Sequence, residues 1–200
     1  MIKFINLCEE EPYRVFKKFY KDAQDSNQKA IEAMAVSTFN ISENMVDARF
    51  VNLKYIKNNE WIFFSNYNSP KGESLNQSNS KISALIYWQS INVQVRIKAN
   101  IFKTEEEFSN QHFISRDKNK NALSIISDQS KKIDSLDDVK SRFDETLMNE
   151  EILSQRPKYW GGFSFIPFYF EFWEGQKFRL NKRQVFKEKN GNWSKFNLQP

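Results

Sequence analysis

In VQVRIKANIFK (93–103), Val93, Val95, Ile97, Ala99 and Ile101 share one face, while Gln94, Arg96 and Lys98 share the other. A period of two belongs to a strand with one buried side. AMAVSTF (33–39), MVDARFVNLKYIK (45–57), WIFFSN (61–66) and KISALIYWQS (81–90) have the same strand character, and ISEN and KNNE between them read as turns. Strands joined by short turns predict an antiparallel meander.

Helical signals lie around these strands. EPYRVFKKFYKDAQD (11–25) puts Val15, Phe16, Phe19 and Tyr20 on one helical face. NSPKGESLNQSN (68–79), interrupted by Pro70 and Gly72, predicts a short helix. Thr104 followed by Glu107 is a capping box, so a helix carrying Phe108, His112 and Phe113 is expected there. Ser135 with Asp138 opens another through Leu147, whereas 117–134 is polar and without a clear period. Strands resume over 162–173, 177–187 and 192–198, with Glu174-Gly175 and Asn190-Gly191 as hairpin turns. This order predicts a mainly β fold with appended helices, an antiparallel barrel rather than a parallel α/β sheet. One domain is expected over 1–200, with a helical N-terminal segment at 1–30 and a closing strand region at 157–200.

Composition limits the chemistry. Apolar residues make up 40% and aromatics 16% of 200 residues, enough for a core despite 28% charge. The net charge of +5 suits nucleic acid, an anionic surface or a phosphorylated small ligand. The cations are scattered and form no basic arm, so no nucleic-acid partner is expected. Cys8 is the single cysteine and His112 the single histidine, which leaves no disulfide, no cysteine cluster and no second imidazole for zinc. No metal is expected. The N-terminus turns acidic too early for a signal peptide, and no apolar run approaches the ~18 residues of a membrane span. The expectation is a cytoplasmic protein with a reduced thiol and no membrane partner.

Three clusters set polar groups among the strands in ways a core does not require. In RFVNLK (49–54), Arg49, Val51 and Leu53 share one face and Phe50, Asn52 and Lys54 the other, unless the strand bends. Ordinary surface charge on an edge strand is the alternative reading. SNYNSPKG (65–72) places small polar groups and Lys71 in a turn ahead of a helix, where backbone N–H groups can meet an anion. In PKYWGGFSFIPFYFEFWEGQKFRLNKR (157–183), Arg179 and Arg183 are expected on one face of a strand, with Trp173 at the mouth of the turn. Two such guanidiniums repel unless an anion or acid lies between them. Gln129-Ser130, within SDQSKKI, reads by itself as a polar loop.

Taken in order, the chain resembles the pyridoxamine 5′-phosphate oxidase family of flavoproteins. The matching pieces are RFVNLK, FFSNYNSPKG (63–72), WQSINVQVRI (88–97), HFISR (112–116), SDQSKKI (127–133), PKYWGGF…EFWEGQKFRL..R (157–183) and the closing NW…LQP. The resemblance implies an FMN-binding split β-barrel, a homodimer with FMN at the subunit interface. It implies that FMN is held by Arg49, Phe50, Val51, Asn52, Leu53, Lys54, Phe64, Ser65, Lys71, Gln94, Gln129, Ser130, Trp173 and Arg183. It also implies oxidation of pyridoxamine or pyridoxine 5′-phosphate to pyridoxal 5′-phosphate, with the electrons passing through the flavin to oxygen and giving hydrogen peroxide. The cofactor carries the hard step, so no side-chain nucleophile is needed.

The implied substrate side is Lys54, His112, Arg116, Lys120, Arg179 and Asn181, with Arg179 and Asn181 as the catalytic pair facing the substrate. Here the chain departs from the family pattern. His112 stands for a tyrosine, Lys120 for a serine, Asn181 for the histidine of RLH, and Pro70 for the arginine of SRK. Two other readings follow: an FMN oxidoreductase for a different substrate, and a non-catalytic basic barrel that holds phosphate ligands or nucleic acid.

Overall fold

The computed structural model describes residues 1–41, 43–76 and 81–200. Ser42 of the expected ISEN turn and residues 77–79 of the expected 68–79 stretch lie outside the described residues. Among the described residues the strands are β1 (Lys3–Ile5), β2 (Ala33–Asn40), β3 (Met45–Asn52), β4 (Tyr55–Lys57), β5 (Glu60–Asn66), β6 (Lys81–Trp88), β7 (Val93–Lys103), β8 (Trp160–Glu174), β9 (Lys182–Lys189) and β10 (Asn192–Asn197). They join in one sheet in the order β1-β4-β5-β8-β7-β6-β2-β3, with β9 on β8 and β10 on β9. Only the β1–β4 pair is parallel. The helices are α1 (Glu11–Asp25), α2 (Pro70–Leu75), α3 (Glu106–Ile114), α4 (Lys118–Ile126), α5 (Leu136–Leu147) and α6 (Glu150–Ser154). The mainly β, antiparallel expectation holds.

Strand β8 organises the sheet. Its first part, Trp160–Phe165, pairs with β5, its last part, Tyr169–Glu174, pairs with β9, and β7 runs beside both. Phe168 is left over where Lys98 faces Tyr169 and Ala99 faces Pro167. This bulge bends the strand, and it is the place where a residue without an N–H can sit inside a sheet.

The alternating faces pack as their periodicity requires. Val93, Val95, Ile97, Ala99 and Ile101 are all buried in a core that includes Trp61, Phe63, Trp88, Phe163, Phe165 and Phe170. Helix α1 covers it with Phe16 and Tyr20, and Val15 and Phe19 pack at its margin; Tyr13 and Ala23 are buried as well. The Phe16 ring lies 4.4 Å from Trp61 and 5.4 Å from Trp88. Edge-on and tilted aromatic pairs of this kind each add about 0.5–1.5 kcal/mol beyond area burial.

Several local expectations need correction. The run 45–57 is not one strand: it breaks after Asn52, where Leu53 is fully buried. The Leu53 N–H donates to Glu32 O at 2.9 Å and the Lys54 N–H to Ile62 O at 2.8 Å, so the chain changes partner from β2 to β5 at this corner. Glu174-Gly175 does lead into the β8–β9 hairpin, but its connection is longer than expected, and 177–181 is not strand. Residues 175–181 form a loop with a single 3-10 turn, in which Phe178 and Arg179 have φ of 58° and 61°. The loop is closed by Asn181 Oδ1, which accepts from the Gln176 N–H at 3.0 Å. Arg179 and Arg183 therefore do not share a strand face. Thr104 does not cap α3; its N–H pairs with Gly162 O and its hydroxyl with Ser109 Oγ, so Glu105 takes the N-cap position. Ser135 does cap α5. Helix α4 lies inside the polar 117–134 stretch, where Asn121, Ala122 and Ile126 are its buried residues. Asn190 and Gly191 have φ of 54° and 79°, as a two-residue β-turn with both central residues left-handed requires.

Candidate functional site

The corner at Leu53 has a consequence for charge. By bending there, the chain turns Lys54 toward the same cavity that receives Phe50, Val51 and Asn52. This cavity, about 320 Å³, is walled by the end of β3, by Phe64 and Ser65 of β5, by Lys71 of α2, by His112 and Arg116, by Lys120 of α4, and by Trp160 at the start of β8. Its lining holds four cations and no carboxylate.

Lys71 is the least solvated of the four. It is 8% exposed, and its ammonium contacts Ser65 Oγ at 2.5 Å and Ser69 Oγ at 3.0 Å. Among the described residues it has no ion-pair partner. Burial, helped by the nearby Arg49 charge, brings its pKa down to about 8. A buried ammonium held only by hydroxyls is costly unless an anion completes it. Ser69 also caps α2 by accepting from the Gly72 N–H, so the short helix fixes the lysine's position.

The Arg116 guanidinium lies over Trp160, its carbon 4.3 Å from the indole centroid, and donates to Ser124 Oγ and to Lys120 O, each at 3.2 Å. Burial pulls its pKa down to about 10, with Asp117 acting against that shift. Lys54 meets Glu32 at 3.5 Å. The His112 ring stacks on Phe64 at 3.7 Å, and its Nδ1 is 2.9 Å from the Tyr55 hydroxyl. Burial, then the charges of Arg116, Lys54 and Lys3, lower its pKa to about 4, so the imidazole is neutral at ordinary pH. Trp160 is anchored from behind: Arg156 donates to Trp160 O at 2.5 Å and to Asn110 Oδ1 at 2.6 Å. Together these groups form a cationic pocket beside flat aromatic walls, suited to phosphate and to a planar ring.

A second surface lies at the other end of β8. Gln94, Trp173 and Arg183 stand opposite one another across β7, β8 and β9. Arg183 donates to Glu171 at 2.8 Å, and Arg96 approaches the same carboxylate at 3.4 Å. Glu171 is 3% exposed; burial acts to raise its pKa, but the Arg183 hydrogen bond and the Arg96 charge prevail and lower it. A groove of about 600 Å³ runs over this face, lined by Gln94, Arg96, Tyr169 and Glu171 among others.

The expected residues thus divide. Phe50, Val51, Asn52, Lys54, Phe64, Ser65, Lys71, His112, Arg116, Lys120 and Gln129 share one cavity. Arg49 stands beside it, donating to Thr38 Oγ1 at 2.8 Å. Ser130 follows Gln129 in an exposed turn with φ 71°. Leu53 belongs to the core. Gln94, Trp173 and Arg183 lie on the second surface, and Arg179 and Asn181 lie in the loop after β8, separated from the first cavity by that whole strand. Sequence reasoning missed Trp160, Tyr55 and Glu171. The first and last were visible inside WGG and EFW, Glu171 two residues before Trp173 and hence on its face.

Comparison with known proteins gives a consistent picture. The family pattern described as "Pyridoxine 5'-phosphate oxidase C-terminal dimerisation region" matches residues 160–200. The chain is 32% identical over 194 residues to the pyridoxine/pyridoxamine 5'-phosphate oxidase of Leptospira interrogans, covering 95% of this chain and 89% of that one. It is 33% identical over 193 residues to the protein of the same name from Trichormus variabilis, covering 94% and 88%. Among solved structures, PhzG from Burkholderia lata 383, in complex with tetrahydrophenazine-1-carboxylic acid, superposes with a TM-score of 0.87 at 24% identity, over 95% of this chain and 93% of that one. A pyridoxamine 5'-phosphate oxidase-related, FMN binding protein from Nostoc punctiforme superposes with a TM-score of 0.78 at 11% identity, over 96% and 99%. At these identities the two structures speak for the fold alone, and that fold is the split β-barrel.

Proposed function

Since the chain belongs to the pyridoxine/pyridoxamine 5′-phosphate oxidase family, an FMN-dependent group of oxidoreductases, we propose that it oxidises pyridoxamine or pyridoxine 5′-phosphate to pyridoxal 5′-phosphate with oxygen as acceptor. It would do so in the cytoplasm, as a single-domain protomer within a homodimer. The observation that carries this reading is the buried Lys71 ammonium, which meets hydroxyls and no carboxylate. The residues present fit FMN: its phosphate, nearly dianionic, would complete Lys71, Ser65 and the nearby Arg49.

The Phe50–Lys54 backbone, Phe64, Gln129 and Ser130 would hold the rest of the cofactor on one protomer. Gln94, Trp173 and Arg183 do not line this cavity within one chain, so in this reading a second copy supplies them across a twofold axis. Glu171 would fix Arg183 in place, and Trp173 would offer a flat apolar wall. When bound, FMN supplies the hydride-accepting chemistry. The protein's part is to clamp the substrate phosphate with Lys54, Arg116, Lys120 and His112, to orient the substrate carbon, and to exclude water. Arg179 and Asn181 of the second copy would close over the substrate from their loop.

A second reading, an FMN oxidoreductase for another substrate, is favoured by Asn181. Its side chain is engaged in closing its own loop, where the family pattern has a histidine. The test is direct: FMN-loaded protein is incubated with pyridoxine 5′-phosphate in air, and pyridoxal 5′-phosphate and peroxide are followed. Formation of both supports the oxidase. Retained FMN with neither product moves the function to the second reading.

A further inference from the structure

We propose that Tyr55 sets the tautomer of His112, keeping the ring proton on Nε2 so that a neutral imidazole donates to the anion in the cavity. This rests on reading that end of the cavity as the substrate-phosphate site. The ring is fixed in two ways. Phe64 stacks on it at 3.7 Å with an interplanar angle of 15°, and the Tyr55 hydroxyl sits 2.9 Å from Nδ1. Trp160 lies nearly parallel at 5°. Rotation about the ring axis would therefore cost the hydrogen bond, and tilting would cost the stack.

A neutral imidazole has one N–H and one bare nitrogen, and the partner of one nitrogen decides the state of the other. The charged groups facing His112 are Arg116 after α3, Lys54 before β4 and Lys3 of β1, all cations. Lys120 lines the same cavity, and Glu32 is engaged by Lys54. A further cation is disfavoured here, so the ring works uncharged. Burial raises the Tyr55 pKa, which keeps its hydroxyl protonated. Among the described residues that hydroxyl has no hydrogen-bond partner other than His112 Nδ1. Donation from Tyr55 to Nδ1 uses the phenol proton and places the imidazole proton on Nε2. The opposite tautomer would leave the phenol proton without a protein acceptor and turn a bare nitrogen lone pair toward any anion held by the four cations. The chain thus offers an imidazole N–H at a position where the family pattern has a tyrosine hydroxyl, and Tyr55 is the residue that positions it.

Because His112 is the single histidine, ¹⁵N-labelled histidine gives one pair of ring-nitrogen signals. The FMN-loaded protein is studied near neutral pH, with and without inorganic phosphate. The expected result is the Nε2–H tautomer, with phosphate shifting Nε2 more than Nδ1, and Tyr55→Phe giving averaged tautomers. An Nδ1–H ring with a normal phosphate response, or an unchanged spectrum in Tyr55→Phe, overturns the role of Tyr55 alone. An Nε2–H ring that ignores phosphate, in a protein without turnover of pyridoxine 5′-phosphate, overturns the phosphate reading and the donor role with it. Kinetics give the second arm. Tyr55→Phe should raise KM for pyridoxine 5′-phosphate about three- to tenfold, more than it lowers kcat. In His112→Gln, which keeps an Nε2 donor but has no tautomer to set, adding Tyr55→Phe should raise KM no further. The same full rise in both backgrounds would overturn the proposal.

Discussion

The ammonium of Lys71 rests 2.5 Å from the hydroxyl of Ser65, buried and without a carboxylate. One strand and a helix cap hold the pair together: Ser65 is fixed in β5, and Ser69 both caps α2 and accepts from the lysine. A cation kept in this state is a standing cost in the free protein, and on the proposed assignment it would be the anion site of the loaded one.

Lys71→Met should therefore separate stability from binding. Loss of a charge-assisted contact costs about 1.5–3 kcal/mol, or roughly 10- to 150-fold in FMN affinity. The apoprotein should be no less stable, and its urea midpoint should hold or rise, because an unpaired buried charge is replaced by an apolar chain of similar length. Titration by flavin fluorescence and urea melts of the apoprotein measure the two effects. Unaltered FMN affinity would contradict the assignment.

The pH dependence follows from the same residue. Its pKa falls from 10.5 to about 8 on folding. Between these values the unfolded chain keeps the proton and the folded chain releases it, so apoprotein stability from this group rises as pH climbs through the window. FMN binding should behave oppositely if Lys71 holds the phosphate as proposed: affinity should fall as pH rises above about 8 and should do so with proton uptake. Calorimetry in buffers of different ionisation enthalpy checks both, and Lys71→Met should abolish the uptake.

Arg183 and Arg179 should divide their labour. Arg183 is held by Glu171 at 2.8 Å on the sheet face, whereas Arg179 sits exposed in a left-handed turn. Arg183→Ala is expected to weaken FMN about tenfold or more. Arg179→Ala is expected to lower turnover of the phosphorylated substrate while flavin stays bound. Equal flavin loss in both variants would defeat this division.

Gly161 is a test of packing beneath the cavity. A Cβ there would lie 2.2 Å from the Tyr67 hydroxyl and 2.8 Å from its ring, against a side chain that is only 9% exposed. Gly161→Ala should cost about 1–3 kcal/mol, read as a lowered thermal midpoint with partial loss of FMN affinity through the displaced Trp160.

Much of this was legible in the sequence. Alternation placed β7 and its buried face, and Asn190-Gly191 placed the last hairpin, because each is a local rule that tertiary packing did not override. The corner at Leu53 was not legible: a strand-like run hides a change of partner that depends on Glu32 and Ile62, distant in sequence. Thr104 looked like a cap, but the sheet claimed its backbone and hydroxyl first. The loop at 175–181 escaped because left-handed Phe178 and Arg179 carry no glycine to announce it. For the site, the cations could be named, yet Lys54 reaches the others only through that same corner, and the Tyr55 contact to His112 spans 57 positions.

The central claim is that the cavity orients a phosphorylated substrate against FMN. It is tested most directly by mixing FMN-loaded protein with pyridoxine 5′-phosphate in the absence of oxygen and following the yellow flavin absorbance. The account predicts that the colour bleaches with the phosphate ester, persists with pyridoxine lacking the phosphate, and returns when oxygen is admitted, with pyridoxal 5′-phosphate formed in equal amount. Colour that persists with the phosphate ester while FMN remains bound would contradict it.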